Sequence, residues 1–191
     1  MKKLIPIFIL SIFLSGCTSV MHNLTEEPIG EDLTDTGPGS YLNDVHMATG
    51  IGVNIKKAEP ELEKSHINVN VYNSIVLLTG EVPNTKLKKL AGETARKFNR
   101  VRIVHNELQV RNNTSLISRT NDSLITKKIQ LKLRLNEEVK GSDIKIITED
   151  SIVYMMAIIS KSESDKAVNL ARETCGVRRV VKVFELSLIH I

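Results

Sequence analysis

The chain contains no tryptophan, and its 191 residues include only three tyrosines and four phenylalanines. A surface that stacks the bases of a single strand needs aromatic side chains, so this composition argues against nucleic acid as a partner. Cysteine is as scarce, with Cys17 and Cys175 alone, which rules out a disulfide framework. The five histidines, at 22, 46, 66, 105 and 190, form no i, i+4 pair and have no neighbouring cysteine. No metal site is therefore expected from spacing. There is no glycine-rich phosphate loop, no G-x-S-x-G and no serine–histidine–aspartate order. The paired carboxylates Glu137-Glu138 and Glu149-Asp150 fall at predicted turns, where solvation is the ordinary role. No catalytic residue and no cofactor is expected, and the chain is not expected to be an enzyme. The apolar run Leu4–Leu14 has eleven residues, short of the roughly 20 that cross a bilayer as a helix.

What is present begins with that run. Lys2-Lys3 precedes it and Leu14-Ser15-Gly16-Cys17 ends it, the layout of an export signal. The last four residues resemble the lipobox of bacterial lipoproteins. Residues 1–16 are then a signal peptide, and Cys17 is the lipidation site, carrying diacylglycerol and an N-terminal acyl (palmitate-type) group. Thr18 stands where the inner-membrane retention signal of enteric lipoproteins has Asp, so the resemblance implies the periplasmic face of the outer membrane. Residues 17–43 form the acylated terminus and a tether. From 18 to 43 there are five acidic residues, no lysine or arginine, and Pro28, Gly30, Gly37, Pro38 and Gly39. With few large apolar side chains this stretch has no core to build. As a coil its 26 residues span roughly 28 Å.

The formal net charge of +4 is unevenly spread. Residues 18–111 hold 11 basic and 12 acidic side chains, while 112–191 hold 13 and 10. The positive excess lies in the second half.

The organising feature is a pattern written twice. Ile67-Asn68-Val69-Asn70-Val71, followed by Ser74-Ile75-Val76, superposes on Ile144-Lys145-Ile146-Ile147-Thr148, followed by Ser151-Ile152-Val153, at an offset of 77. The offset becomes 76 at Val101-Arg102-Ile103-Val104 and Val177-Arg178-Arg179-Val180. One residue has been lost or gained between them, and a duplication this long sets the domain organisation. In each copy a candidate helix precedes a hairpin, a second amphipathic helix and a last strand. The first helix of copy one spans Val45–Lys57, with Asp44 as N-cap, and is weakened by Gly50 and Gly52, each costing up to about 1 kcal/mol in a helix interior. In copy two it spans Leu124–Leu135. Asn84 or Thr85 caps the second helix of copy one, and Ser160 with Glu163 forms a capping box in copy two. The last strands are expected at Val101–Val110 and Arg179–Leu188. The fold class is α+β: two tandem αββαβ units, each a small three-stranded mixed sheet with two helices packed on it.

Two such units, each with an Ile-x-Val/Ile…Ser-Ile-Val hairpin and a Val-x-x-Val opening to the last strand, resemble tandem BON domains. With the lipobox in front, the chain resembles the dual-BON outer-membrane lipoproteins of the DolP type, relatives of periplasmic OsmY. The expected boundaries are a first BON domain at 44–111, a linker at 112–121 and a second BON domain at 122–191. Two departures stand out. Gly80 of the first hairpin, usual in BON domains, is answered by Ala157. Leu124 occupies the position at which DolP-type proteins carry a lipid-entering Trp.

The helix from Leu124 is the surface to test. Lys127, Lys128, Lys132 and Arg134 face a single acid, Asp122, and its apolar residues exceed what one core stripe needs. The segment Ile129–Leu135 alternates strictly, so a strand is the competing assignment there. Otherwise it is a solvated basic helix or a membrane-surface helix. The resemblance implies the last: Leu124 and Ile125 enter the acyl boundary, while Lys127, Lys128, Lys132 and Arg134 contact anionic phospholipid. The function expected is a non-enzymatic outer-membrane lipoprotein supporting cell-envelope integrity. The alternative is a periplasmic interaction module that binds an envelope protein partner through a BON sheet face or edge. Cys175, near a helix end, is expected to be a buried apolar thiol or to form an intermolecular bridge.

Overall fold

The computed structural model describes residues 40–111 and 116–186. It contains two αββαβ modules in tandem. In the first, α1 (Ser40–Ala58) and the short α2 (Pro60–Lys64) lead into β1 (His66–Tyr72), β2 (Ile75–Val82), α3 (Thr85–Arg96), β3 (Ile103–Asn106) and β4 (Gln109–Val110). In the second, α4 (Leu116–Arg134) and a 3-10 turn at Gly141–Asp143 precede β5 (Lys145–Glu149), β6 (Ile152–Ile159), α5 (Lys161–Arg172) and β7 (Arg179–Leu186).

Both opening helices are longer than their sequence signals. In α1 the two glycines do not break the helix, because Ile51, Val53 and Ile55 between and beyond them are fully buried. Burying each such side chain contributes about 1.5–3 kcal/mol, more than the glycines cost. Asp44 lies inside α1 rather than capping it. Helix α4 begins at Leu116, so it takes up the second half of the stretch expected to be a linker. The alternating segment from Ile129 is helical, not a strand. The two later helices start where their caps predict. Asn84 accepts the Leu87 N–H at 2.9 Å, and Ser160 and Glu163 form the reciprocal capping box.

In each sheet the central strand pairs antiparallel with its hairpin partner and parallel with the last strand. The second sheet runs β5-β6-β7 without interruption. The first has the order β1-β2-β3, but its last strand is divided into β3 and β4, both on β2. The division falls opposite Gly80, whose φ of +111° belongs to the left-handed region. A Cβ there would sit 2.0 Å from the His66 carbonyl oxygen. Ala157 has no such constraint: β5 pairing ends at Lys145↔Met156, one position short of it, and β7 runs past it unbroken. The Gly80/Ala157 departure is thus the difference between an interrupted and a continuous last strand.

Every residue of β2 is buried, as is every residue of β6 except Ile158. A strand alternates its side chains between faces, so both faces of both sheets are covered. Val76, Leu78 and Val82 pack under α1 and α3; Val153, Met155, Ala157 and Ile159 pack under α4 and α5. The opposite faces meet each other. Ile75 and Leu77 join Ile152, Tyr154, Met156 and Val183 in a third apolar cluster between the sheets. Modules of about 70 residues have marginal cores of their own, and this shared layer adds to both. Burial pushes the Tyr154 phenol up to about 12.

Polar contacts close the ends of that layer. At one end Arg102 forms a two-point pair with Glu185, at 2.7 and 3.0 Å, and Asn73 donates to the same carboxylate. At the other, Arg111 reaches Glu81 at 3.2 Å and Asp150 at 2.9 Å, and Arg178 reaches Asp150 at 2.7 Å. The duplication is visible here too, since Arg102 and Arg178 each donate to the carbonyl of their own hairpin turn, at Asn73 and Asp150.

Candidate functional site

Helix α4 carries two apolar stripes. At about 100° per residue, Ile125, Ile129 and Leu133 lie on the inward side, at 1%, 0% and 0% exposure. Leu124, Leu131 and Leu135 fall within about 40° of one another on the opposite side, and they are 53%, 59% and 75% exposed. Leu135 extends the helix by one hydrogen bond, its N–H donating to Leu131 O at 3.1 Å. The outer stripe is about 17 Å long. Lys127 and Arg134 flank it on one side, Lys128 and Lys132 on the other.

The basic residues do not contribute equally. Lys127, Lys128 and Arg134 are exposed, with no ion-pair partner among the described residues. Lys132 is half-buried and donates to Glu173 O at 3.2 Å. Ile125 is not on this face at all: it belongs to the core of the second module, which corrects its assignment as a lipid-entering residue. Leu131 and Leu135 stand on the outer face instead. Strict alternation over 129–135 obscured them, because on a helix that spacing sends every second residue to a different side.

Asp122, the single acid expected to face the basic residues, is turned inward. It is 5% exposed, and its carboxylate accepts the N–H groups of Asp150 at 2.8 Å and Ser151 at 2.7 Å. These turn residues have φ of 49° and 61°. Asp44 does the same in the first module, accepting from Asn73 at 2.7 Å and Ser74 at 3.0 Å. Each opening helix is thereby clamped to its own hairpin. Burial pushes the Asp122 carboxyl above its ordinary value, against the two backbone hydrogen bonds. With Asp122 withdrawn, the outer face of α4 from Leu124 to Leu135 holds leucines and cations only.

Cys17 lies outside the described residues, as does the side chain of Arg119, the basic residue just upstream of Asp122. Cys175 is exposed, which corrects the expectation of a buried thiol. No helix of the described residues is long and apolar enough to cross a membrane.

The class this defines is a tandem α+β protein whose two sheets pack face to face. The chain belongs to the BON domain family, whose model matches residues 43–112 and 121–187. It is similar over 97% of its length to the outer membrane lipoprotein DolP of Haemophilus influenzae, at 28% identity and covering 96% of that protein. It is 32% identical to a 21 kDa hemolysin of Actinobacillus pleuropneumoniae, over 76% of this chain and 75% of that one. Osmotically-inducible protein Y of Escherichia coli K12 is 24% identical over 94% of this chain and 92% of its own length.

Proposed function

We propose that this chain is a non-enzymatic lipoprotein of the outer membrane that supports envelope integrity, with the α4 face resting on anionic phospholipid. The observation that carries the reading is the exposed stripe Leu124–Leu131–Leu135 bordered by Lys127, Lys128 and Arg134. An amphipathic helix of this kind lies in the interface plane, with apolar side chains in the acyl boundary and cations among the headgroups. Each lysine or arginine near an anionic surface contributes on the order of 1 kcal/mol. A half-exposed leucine that becomes buried contributes about 1 kcal/mol. Such a face suits a protein already held at the membrane by acylated Cys17, because the anchor supplies stable attachment and the helix supplies orientation. The similarity to DolP supports the outer-membrane location.

The alternative, a partner on a sheet face, has less room. One face of each sheet is covered by helices and the other by the opposite sheet, which leaves edges only.

The test uses the chain from residue 17 with Cys17→Ser, sedimented with phosphatidylglycerol or phosphatidylcholine vesicles. Binding to the anionic vesicles, weakening with salt and lost in Leu124→Ser/Leu131→Ser/Leu135→Ser, is expected. Equal sedimentation of wild type with and without anionic vesicles would sink the lipid reading. The anchor is tested by mass: intact protein from membranes should carry diacylglycerol and an acyl chain on residue 17, and a high-salt wash should release Cys17→Ser protein from membranes while leaving wild type in place.

A further inference from the structure

Three groups with metal-ligand chemistry converge at one polar end of the sheet–sheet layer. They are His66 of β1, Glu81 of β2 and Glu149 at the end of β5. Sequence spacing could not bring them together, since 68 residues and two folded sheets separate Glu81 from Glu149. One ligand atom from each lies within 4.8 Å of the others. Glu81 is fully buried and Glu149 is 5% exposed. His66 Nε2 stands 3.4 Å from Glu149 Oε1; the Asn68 amide nitrogen bridges the two, 3.1 Å from His66 Nε2 and donating to Glu149 Oε2 at 2.7 Å, and turns aside when a metal enters.

We propose that His66, Glu81 and Glu149 bind a divalent transition-metal cation of the zinc class that staples the two modules together. Imidazole nitrogen and carboxylate oxygen are both zinc ligands, at distances near 2.0–2.2 Å. Ligand atoms in a tetrahedral site are then about 3.4 Å apart, so the group closes with side-chain movements of about 1 Å. Arg111, whose buried Nε has no hydrogen-bond partner, keeps Asp150 at 2.9 Å if Glu81 turns to the metal.

A second observation points the same way. Thr79 is fully buried, and its hydroxyl has no hydrogen-bond partner. Thr79 pairs with Asn68 and His66 pairs with Glu81 in the β1–β2 register, so all four side chains share the face turned to the second module. Three protein ligands leave a fourth position for water, and a metal-bound water would supply the partner that this buried hydroxyl lacks. Leaving such a hydroxyl unpaired is costly.

The test is titration of the full mature chain in detergent with Zn2+ and, as a spectroscopic probe, Co2+. One saturable equivalent is expected, with a Co2+ visible spectrum of a low-coordinate N/O site and a raised thermal midpoint. Glu149→Gln and His66→Gln, which preserve size, should each weaken binding at least tenfold, while His105→Ala should not. Absence of saturable binding at micromolar metal, or binding unaffected by both Gln variants, overturns the proposal. Should either variant lose its fold, the Co2+ spectrum of wild type decides: no d–d bands, or bands of a six-oxygen site, would be equally fatal.

Discussion

Removing the Asp122 carboxylate tests how the second module aims its helix. In Asp122→Ala, the N–H groups of Asp150 and Ser151 lose acceptors at 2.8 and 2.7 Å in a turn already in the left-handed region. Each unsatisfied donor costs about 1–3 kcal/mol when buried, giving about 4 kcal/mol for two. Part of this is returned, because burial disfavours the ionised carboxylate and raises its pKa. A net loss of about 2 kcal/mol is expected. For a module of this size that is roughly 8–16 °C in the midpoint. Asp44→Ala breaks the matching clamp of the first module, but Asp44 is only half-buried. Water replaces its carboxylate more easily, and a loss of about 1 kcal/mol is expected. Thermal unfolding by circular dichroism, with urea titration for the free energies, measures both. The clamp also orients the leucine stripe, so Asp122→Ala should weaken vesicle binding although it removes no cation and no exposed leucine. A pair of losses below about 0.5 kcal/mol, the range of ordinary surface substitutions, would refute the reasoning. So would Asp44→Ala proving the more damaging.

Further outcomes are expected from the same geometry. Lys127→Glu/Lys128→Glu reverses two exposed charges, for about 2 kcal/mol each between lost attraction and new repulsion. Vesicle affinity should fall by about a thousandfold, with folding stability unchanged in a melt. Gly80→Ala puts a Cβ 2.0 Å from the His66 carbonyl oxygen at φ +111°; it should destabilise the first module by several kcal/mol, as a strained backbone and a displaced strand together require. Ala157→Gly should cost less, about 1–2 kcal/mol, from backbone entropy and the loss of one buried methyl. On acidification the sheet–sheet contact should loosen. Arg102 holds Glu185 below its ordinary 4.5. Burial pushes Asp150 up, but hydrogen bonds from Arg111 and Arg178 outweigh it and hold it below 3.8. A carboxylate with a depressed folded pKa stabilises above its ordinary pKa, and that stability is lost as pH falls through the lowered value. Cross-linking across the two modules should therefore hold from pH 7 to about 5 and decline below about 4. Exposed Cys175 should react with a maleimide in the native protein at the rate of a free thiol; protection would contradict its position.

The sequence by itself determined the two modules, their strand order and their later helices. Duplication at an offset of 77 marks the modules, and the Ser160–Glu163 box and the Asn84 cap are local signals that local hydrogen bonds satisfy. It also marked α4 as over-apolar and basic. Which of those apolar residues face outward was decided only by tertiary packing. Ile125 went to the core and Leu131 and Leu135 to the surface, because the sheet fixes which side of the helix is covered. The same holds for Asp122, whose role depends on a turn 28 residues away. The burial of both faces of β2 and β6 has its cause in a second sheet rather than in either module alone. The meeting of His66 and Glu81 with Glu149 belongs wholly to that level. Neighbours in space across two sheets leave no period in a chain, and only the docking of one copy on the other brings them within reach.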